Sequence, residues 1–232
     1  MRLLATADFH GKRTFAIRAY LYARDKNVDA ITIAGDIVHK SSLDEAKRIL
    51  SVFKDIPVLF VPGNTDPPEL CEYSSENLIN LHGRSYSFEG VTFFGVGGSL
   101  PTPFYSTFTL SEEDIEKILD ARKTAVLVTH TPPYGLKISK TWRGEIVGSK
   151  KLRQYIETFQ PLLNICGHIH EHRGIDKIGA TICINTGQIP HAYIIEIKGN
   201  DVIPHEVYIP PLVRGKEKLD YSRAKGVQGT LF

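Results

Sequence analysis

Three cysteines in a chain of 232 residues are too few, and too scattered, to build a disulfide framework. Cys166 and Cys183 sit inside apolar runs and read as reduced core thiols, which points to the cytoplasm. No apolar run approaches the ~20 residues needed to cross a bilayer, so no membrane partner is expected. Asp8 and His10 interrupt the first apolar run, which argues against a secretory signal. A large excess of one charge is missing too: the formal net charge is +2. Even that excess belongs to residues 213–232, where five basic side chains face two acidic ones and leave the remainder at −1. The body is therefore not a basic nucleic-acid clamp by composition. What the chain does have is 42% hydrophobic and 23% charged residues, enough for one substantial core. The reading is a single domain over residues 1–212, closed by Pro210 and Pro211, followed by a basic, flexible tail over residues 213–232.

Within the domain, short β-rich runs alternate with helical patterns. Residues 3–7, 30–34, 58–61, 125–129 and 162–166 are continuous apolar strands, as expected when both faces of a sheet are covered. Residues 14–26, 43–53, 111–122 and 149–159 carry amphipathic helical periods, and Ser111 and Ser149 stand where N-caps belong. This alternation predicts an α/β fold with crossover helices. Near residues 85–97 the rhythm changes to a hairpin, with further strands near residues 181–185, 192–198 and 201–209. These can join as antiparallel edges or build a second sheet.

Polar residues gather after the strands. Asp8 and His10 follow the first, Asp36 the second, Asn64 the third, His130 the fourth, and His168 and His170 the fifth. Open α/β sheets hold ligands outside the carboxyl ends of their strands, so these seven side chains are expected to converge. In an extended segment, residues two apart share a face, which would point Asp8 and His10 together while Phe9 faces the core. The same reading applies to His168 and His170 around Ile169. Glycines before Asp36, Asn64 and His168 let the backbone approach closely. Imidazole, carboxylate and amide donors without thiolate suit manganese first, and also iron, zinc or nickel, better than calcium. Seven ligands exceed one tetrahedral site and are a natural number for two sites sharing a carboxylate.

Asp8-Phe9-His10, Gly35-Asp36, Gly63-Asn64, His130 and Gly167-His168-Ile169-His170, in that order, resemble the calcineurin-like metallophosphoesterase superfamily. The resemblance implies a four-layer α-β-β-α sandwich of two packed mixed sheets with helices outside and the metal site at the strand C-terminal ends. It also implies two divalent metal ions, with Asp8, His10 and His170 holding the first, Asn64, His130 and His168 the second, and Asp36 bridging. The implied activity is hydrolysis of a phosphate ester, a phosphodiester before a monoester and with nucleotides among the candidates, by a hydroxide bridging the metals. Asn64 would contact both metal and phosphate.

Two positions depart from the family pattern. Thr65 stands where many relatives carry a histidine beside the leaving group, and His39 where some carry an aspartate. Threonine cannot supply a proton at neutral pH as imidazole can, so His39 is the candidate acid, with a solvent-exposed loop histidine the favoured alternative, and Thr65 is a substrate-side residue. Asp66 is expected to orient its loop rather than bind metal. The loop holding Tyr134 should line the substrate entrance. Tyr134 and Trp142 are candidates to stack on a base, with packing against the domain the favoured reading of Trp142. The helix start at Gly148-Ser149 suits either free amides for a phosphate or ordinary capping. Finally, Gln228, Leu231 and Phe232 at the end of the tail resemble the peptide by which replication proteins dock on a sliding clamp. That partner would favour a DNA-processing nuclease over a small-molecule esterase; a non-catalytic metal-bound scaffold is the third reading.

Overall fold

The computed structural model describes residues 1–120, 123–215 and 218–220. Gln228, Leu231 and Phe232, and with them the clamp-docking reading, lie outside the described residues.

Two six-stranded mixed sheets face one another. In the first, β1 (Arg2–Thr6), β2 (Ala30–Ala34), β3 (Val58–Val61) and β4 (Leu78–Asn80) run parallel. β11 (His191–Lys198) pairs antiparallel with β1, and β12 (Asp201–Tyr208) with β11. The second sheet sets β6 (Val91–Val96), β7 (Val126–Thr129), β8 (Leu163–Cys166) and β10 (Thr181–Asn185) parallel. Its antiparallel edges are β5 (Ser85–Phe88) and β9 (Gly174–Ile178). The later strands thus divide: β10 runs parallel inside the second sheet, while β11 and β12 extend the first.

Side-chain alternation along each strand builds three cores. Leu3 and Ala5 of β1 meet Phe93, Val126, Leu163 and Ile184 of the other sheet in a core between the sheets. Leu4 faces the opposite way, with Phe60 of β3, onto α1 (Arg13–Asp25) and α2 (Leu43–Leu50). Phe94 and Leu127 face α3 (Glu112–Leu119) and α4 (Lys150–Phe159). The order is therefore helices, sheet, sheet, helices. Burial on both faces is why the central strands read as unbroken apolar runs.

The helices begin where the sequence provides caps. Ser42, Ser111 and Ser149 each accept a hydrogen bond from the backbone N–H three residues on, and Asp114 completes a capping box with Ser111. α2 ends at Leu50, three residues before the expected Phe53. Past Leu212 the described chain turns back, bridging Leu212 to Leu219, and Leu219 packs against the first helix-side core.

Candidate metal centre

Five strand ends from both sheets deliver the seven expected side chains to one place. Among the described residues, the donor atoms of Asp8, His10 and His170 lie within 4.8 Å of one another, and so do those of Asp8, Asp36 and His130. In the first group His10 Nε2 is 3.2 Å from His170 Nε2, which is 3.3 Å from Asp8 Oδ1. Asp36 stands between the groups, 3.7 Å from His10 Nε2 and 3.5 Å from His130 Nε2. Asn64 Oδ1 is 2.8 Å from His130 Nε2, and the His168 ring is 4.9 Å from that of His130.

Local backbone shape differs from the extended alternation the sequence suggested. Asp8, His10, Asp36 and His168 all have positive φ, at 58°, 46°, 53° and 71°. Phe9 and Ile169 are buried as expected, but by a left-handed turn and not by strand alternation. The cause is hydrogen bonding between loops: the amides of Asp8 and His10 donate to the carbonyls of Gly35 and Asp36. Asp and His tolerate this region better than branched side chains, and such conformations concentrate at functional sites. Gly35, at φ 90°, meets both demands at once, since a Cβ there would come within 3.0 Å of His130. At Gly63 an added Cβ would collide with Asp36, and at Gly167 with Asp8.

The donor chemistry fits divalent cations. His130 Nδ1 lies 2.8 Å from the Ala34 carbonyl, an acceptor only, so Nδ1 carries the proton. In a neutral His130 the Nε2 lone pair then faces the oxygens of Asn64 and Asp36, three acceptors with no proton among them. Asn64 is held in that orientation by its Nδ2, which donates to Ser106 Oγ at 3.0 Å. Asp8 Oδ1 and His10 Nδ1 are buried without a hydrogen-bond partner. Burial pushes His10 below the ordinary histidine value and His168 down to about 4. These imidazoles are therefore neutral and free to coordinate at pH 7. Burial works against charge on Asp8 and on His170, but the contact between them holds the Asp8 carboxyl low and the His170 imidazole high.

Other residues brace the candidate ligands. Asp66 is fully buried and accepts from the amides of Ile37, Val38 and Gly63 at 3.1, 2.7 and 2.7 Å. Thr65 donates its hydroxyl to the Val38 carbonyl at 2.8 Å, and its amide donates to Asp36. The hydroxyl is thus committed to the backbone. Gln188, which the sequence did not single out, donates to the Asp8 carbonyl, and Asn185 to that of Ile169. No local pattern marks Gln188; its bridge to Ala7, the residue before Asp8, brings it near.

His39 is exposed at the rim, its ring 5.4 Å from that of His10. Tyr134 lines the cavity over the centre. Trp142, expected to pack against the domain, is instead 72% exposed, on a loop anchored through its backbone: its own amide donates to Glu171, and those of Thr141 and Val147 donate to the Glu145 and Ser139 carbonyls. The amides at the start of α4 are not free for a phosphate. Glu112, unforeseen in the sequence, accepts from the amides of Lys150 and Lys151 and from Ser149 Oγ.

The profile described as calcineurin-like phosphoesterase matches residues 1–172. An uncharacterized protein of Methanocaldococcus jannaschii is 34% identical over 213 residues, 88% of this chain and 95% of that protein. Among solved structures, a dimetal phosphatase from Danio rerio aligns with a TM-score of 0.61 at 12% identity, covering 90% of this chain and 98% of its own. An archaeal phosphodiesterase aligns at 0.54 and 18%, covering 89% and 100%. At such identities the structural likeness speaks for the fold. No helix among the described residues is long and apolar enough to cross a membrane. With the profile spanning all seven candidate ligand positions, the chain belongs to the calcineurin-like phosphoesterase family and is a metal-dependent hydrolase acting on phosphate esters.

Proposed function

We propose that the protein hydrolyses a phosphodiester at a pair of divalent cations. Asp8, His10 and His170 would hold one, Asn64, His130 and His168 the other, with Asp36 shared. The observation that carries the pairing is the position of Asp36, within 4 Å of an imidazole nitrogen on each side. The two solved relatives, one described as a dimetal phosphatase and one as a phosphodiesterase, support it. Bound there, two cations supply an acidified water and positive charge against the phosphoryl oxygens.

The chain's own groups do the rest. Asn64 keeps an oxygen toward His130 through its bond to Ser106, so its amide is oriented before substrate arrives. Thr65, with its hydroxyl on Val38, positions Asp36 through its amide and does not reach a leaving group as a donor. His39 is the exposed imidazole nearest the first ligand group and is assigned the proton delivered to the leaving oxygen. A cavity of about 760 Å³ opens over the centre, far more space than one phosphate fills and room for two ester arms.

The test is hydrolysis of bis-p-nitrophenyl phosphate and p-nitrophenyl phosphate by metal-stripped protein reloaded with manganese, beside Asp36→Asn. Activity on the diester should return with manganese and fall at least ~100-fold in the variant. Stoichiometric metal binding without cleavage of either ester would refute the reading and leave the scaffold role.

A further inference from the structure

Large apolar side chains are exposed most heavily around this same cavity. Phe104 (77%), Tyr105 (72%) and Trp142 (72%) stand on two loops that line it, and its floor reaches His10, Asp36, Asn64 and His168. Rings left in water beside a reaction centre call for a ligand. Each loop is tied to a ligand loop. The amides of Thr107 and Phe108 donate to the Asn64 carbonyl, and Ser106 accepts from Asn64. The Trp142 amide donates to Glu171, next to His170. The loops that carry the rings are therefore held at set positions relative to the candidate metal ligands.

Cations accompany the rings. Lys40 Nζ lies 5.2 Å from the Tyr105 ring centre, the Arg143 guanidinium 4.9 Å from that of Trp142, and Lys150 Nζ 5.4 Å from that of Tyr134. All six line the cavity. Planar π surfaces interleaved with positive charge match a ligand that is itself planar and anionic, and the volume is that of a small-molecule site. Glu112, Glu145 and Glu171 line the cavity too, but Glu112 and Glu171 already accept from backbone amides; an acyl chain would use the rings and offer the cations nothing.

Resting on the phosphodiesterase reading, we propose that this cavity is the subsite for a nucleoside arm of the substrate. The base stacks on Trp142 and on Tyr105 or Phe104, and Lys40, Arg143 and Lys150 receive the phosphate charge that accompanies it.

Trp142 is the single tryptophan of the chain, so its fluorescence reads the subsite without catalysis. Titrating the full-length, metal-loaded protein with adenosine 5′-monophosphate should quench the emission saturably, whereas ribose 5-phosphate and inorganic phosphate should not. Tyr105→Ala and Phe104→Ala are made separately, and one of them should weaken the apparent affinity roughly 5- to 100-fold, the range for one stacked base. A second measurement compares thymidine 5′-(p-nitrophenyl phosphate) with methyl p-nitrophenyl phosphate, which share a leaving group. The wild type should prefer the nucleoside ester in kcat/KM by about tenfold or more, and Trp142→Ala should bring the ratio close to one. Saturable quenching without cleavage of either ester would refute the phosphodiesterase reading and uphold the subsite. Unsaturable quenching by the nucleotide overturns the subsite, as does a blue shift on phosphatidylglycerol vesicles in its place.

Discussion

Asp66 is a buried carboxylate beside the site whose oxygens are taken up by the backbone. Three backbone N–H groups point at its two oxygens, and these amides belong to the loops that present Asp36 and Asn64. Burial, with Asp36 nearby, pushes its carboxyl up to about 7. Asn has one acceptor oxygen and would turn an N–H2 toward at least one of these donors. We predict that Asp66→Asn costs about 1–3 kcal/mol in thermal denaturation and lowers activity with it. Unchanged stability would mean that the loops are held by something else. His39 makes the opposite kind of prediction, because it is exposed and at the rim. His39→Ala should leave cleavage of p-nitrophenyl esters nearly intact and slow an alkyl leaving group by ~100-fold. Equal loss on both esters would remove His39 as the acid. The importance of these single residues was only partly legible. Asp66 followed from its place beside a ligand, whereas the left-handed turns at Asp8 and His10 depend on carbonyls from β2's loop, which no local pattern encodes.

At the scale of elements, α3 and α4 are joined by one side chain. Glu112, in the first turn of α3, takes the place that a free anion would have at the start of α4. A carboxylate there both satisfies orphan amides and favours the helix dipole. Glu112→Ala should cost ~1–2 kcal/mol, a fall in Tm of several degrees for a domain of this size, without altering the ratio of diester to monoester cleavage. A shift in that ratio would show that the α4 amides reach substrate after all. The caps at Ser111 and Ser149 were readable because capping is local, but the bond from Ser149 to Glu112 was not, since 37 residues separate the two. Strands followed the same division. β1, β2, β3, β7 and β8 announced themselves as apolar runs because both faces are covered. β4 has only three residues, and β9 carries Asp176 and Lys177 at an exposed edge, so neither leaves a clear pattern.

For the molecule as a whole, the candidate ligands come from both sheets: β1, β2 and β3 of the first, β7 and β8 of the second. The linear order of the polar clusters could be read because each follows a strand, but not which sheet each strand would join. Any cation in the centre therefore fastens one sheet to the other as well as serving catalysis. Buried lone pairs at Asp8 and His10, and the converging acceptors of Asn64, Asp36 and His130, make the metal-free centre the weak point of that joint. An ion that binds only the folded state stabilises it by about 2.7 kcal/mol at one hundred times its dissociation constant. For a domain of this size that corresponds to roughly 5–10 °C in Tm. Stripping the wild type with a chelator should lower Tm by this amount, and manganese should restore it. In Asp36→Asn, where the shared carboxylate is gone, the gap between stripped and loaded protein should shrink. A wild-type Tm that does not respond to metal would mean that the inter-sheet core of Leu3, Ala5, Phe93 and Val126 holds the sheets together unaided. The centre would then be an appendage of the fold, free to lose its ligands at no cost to stability.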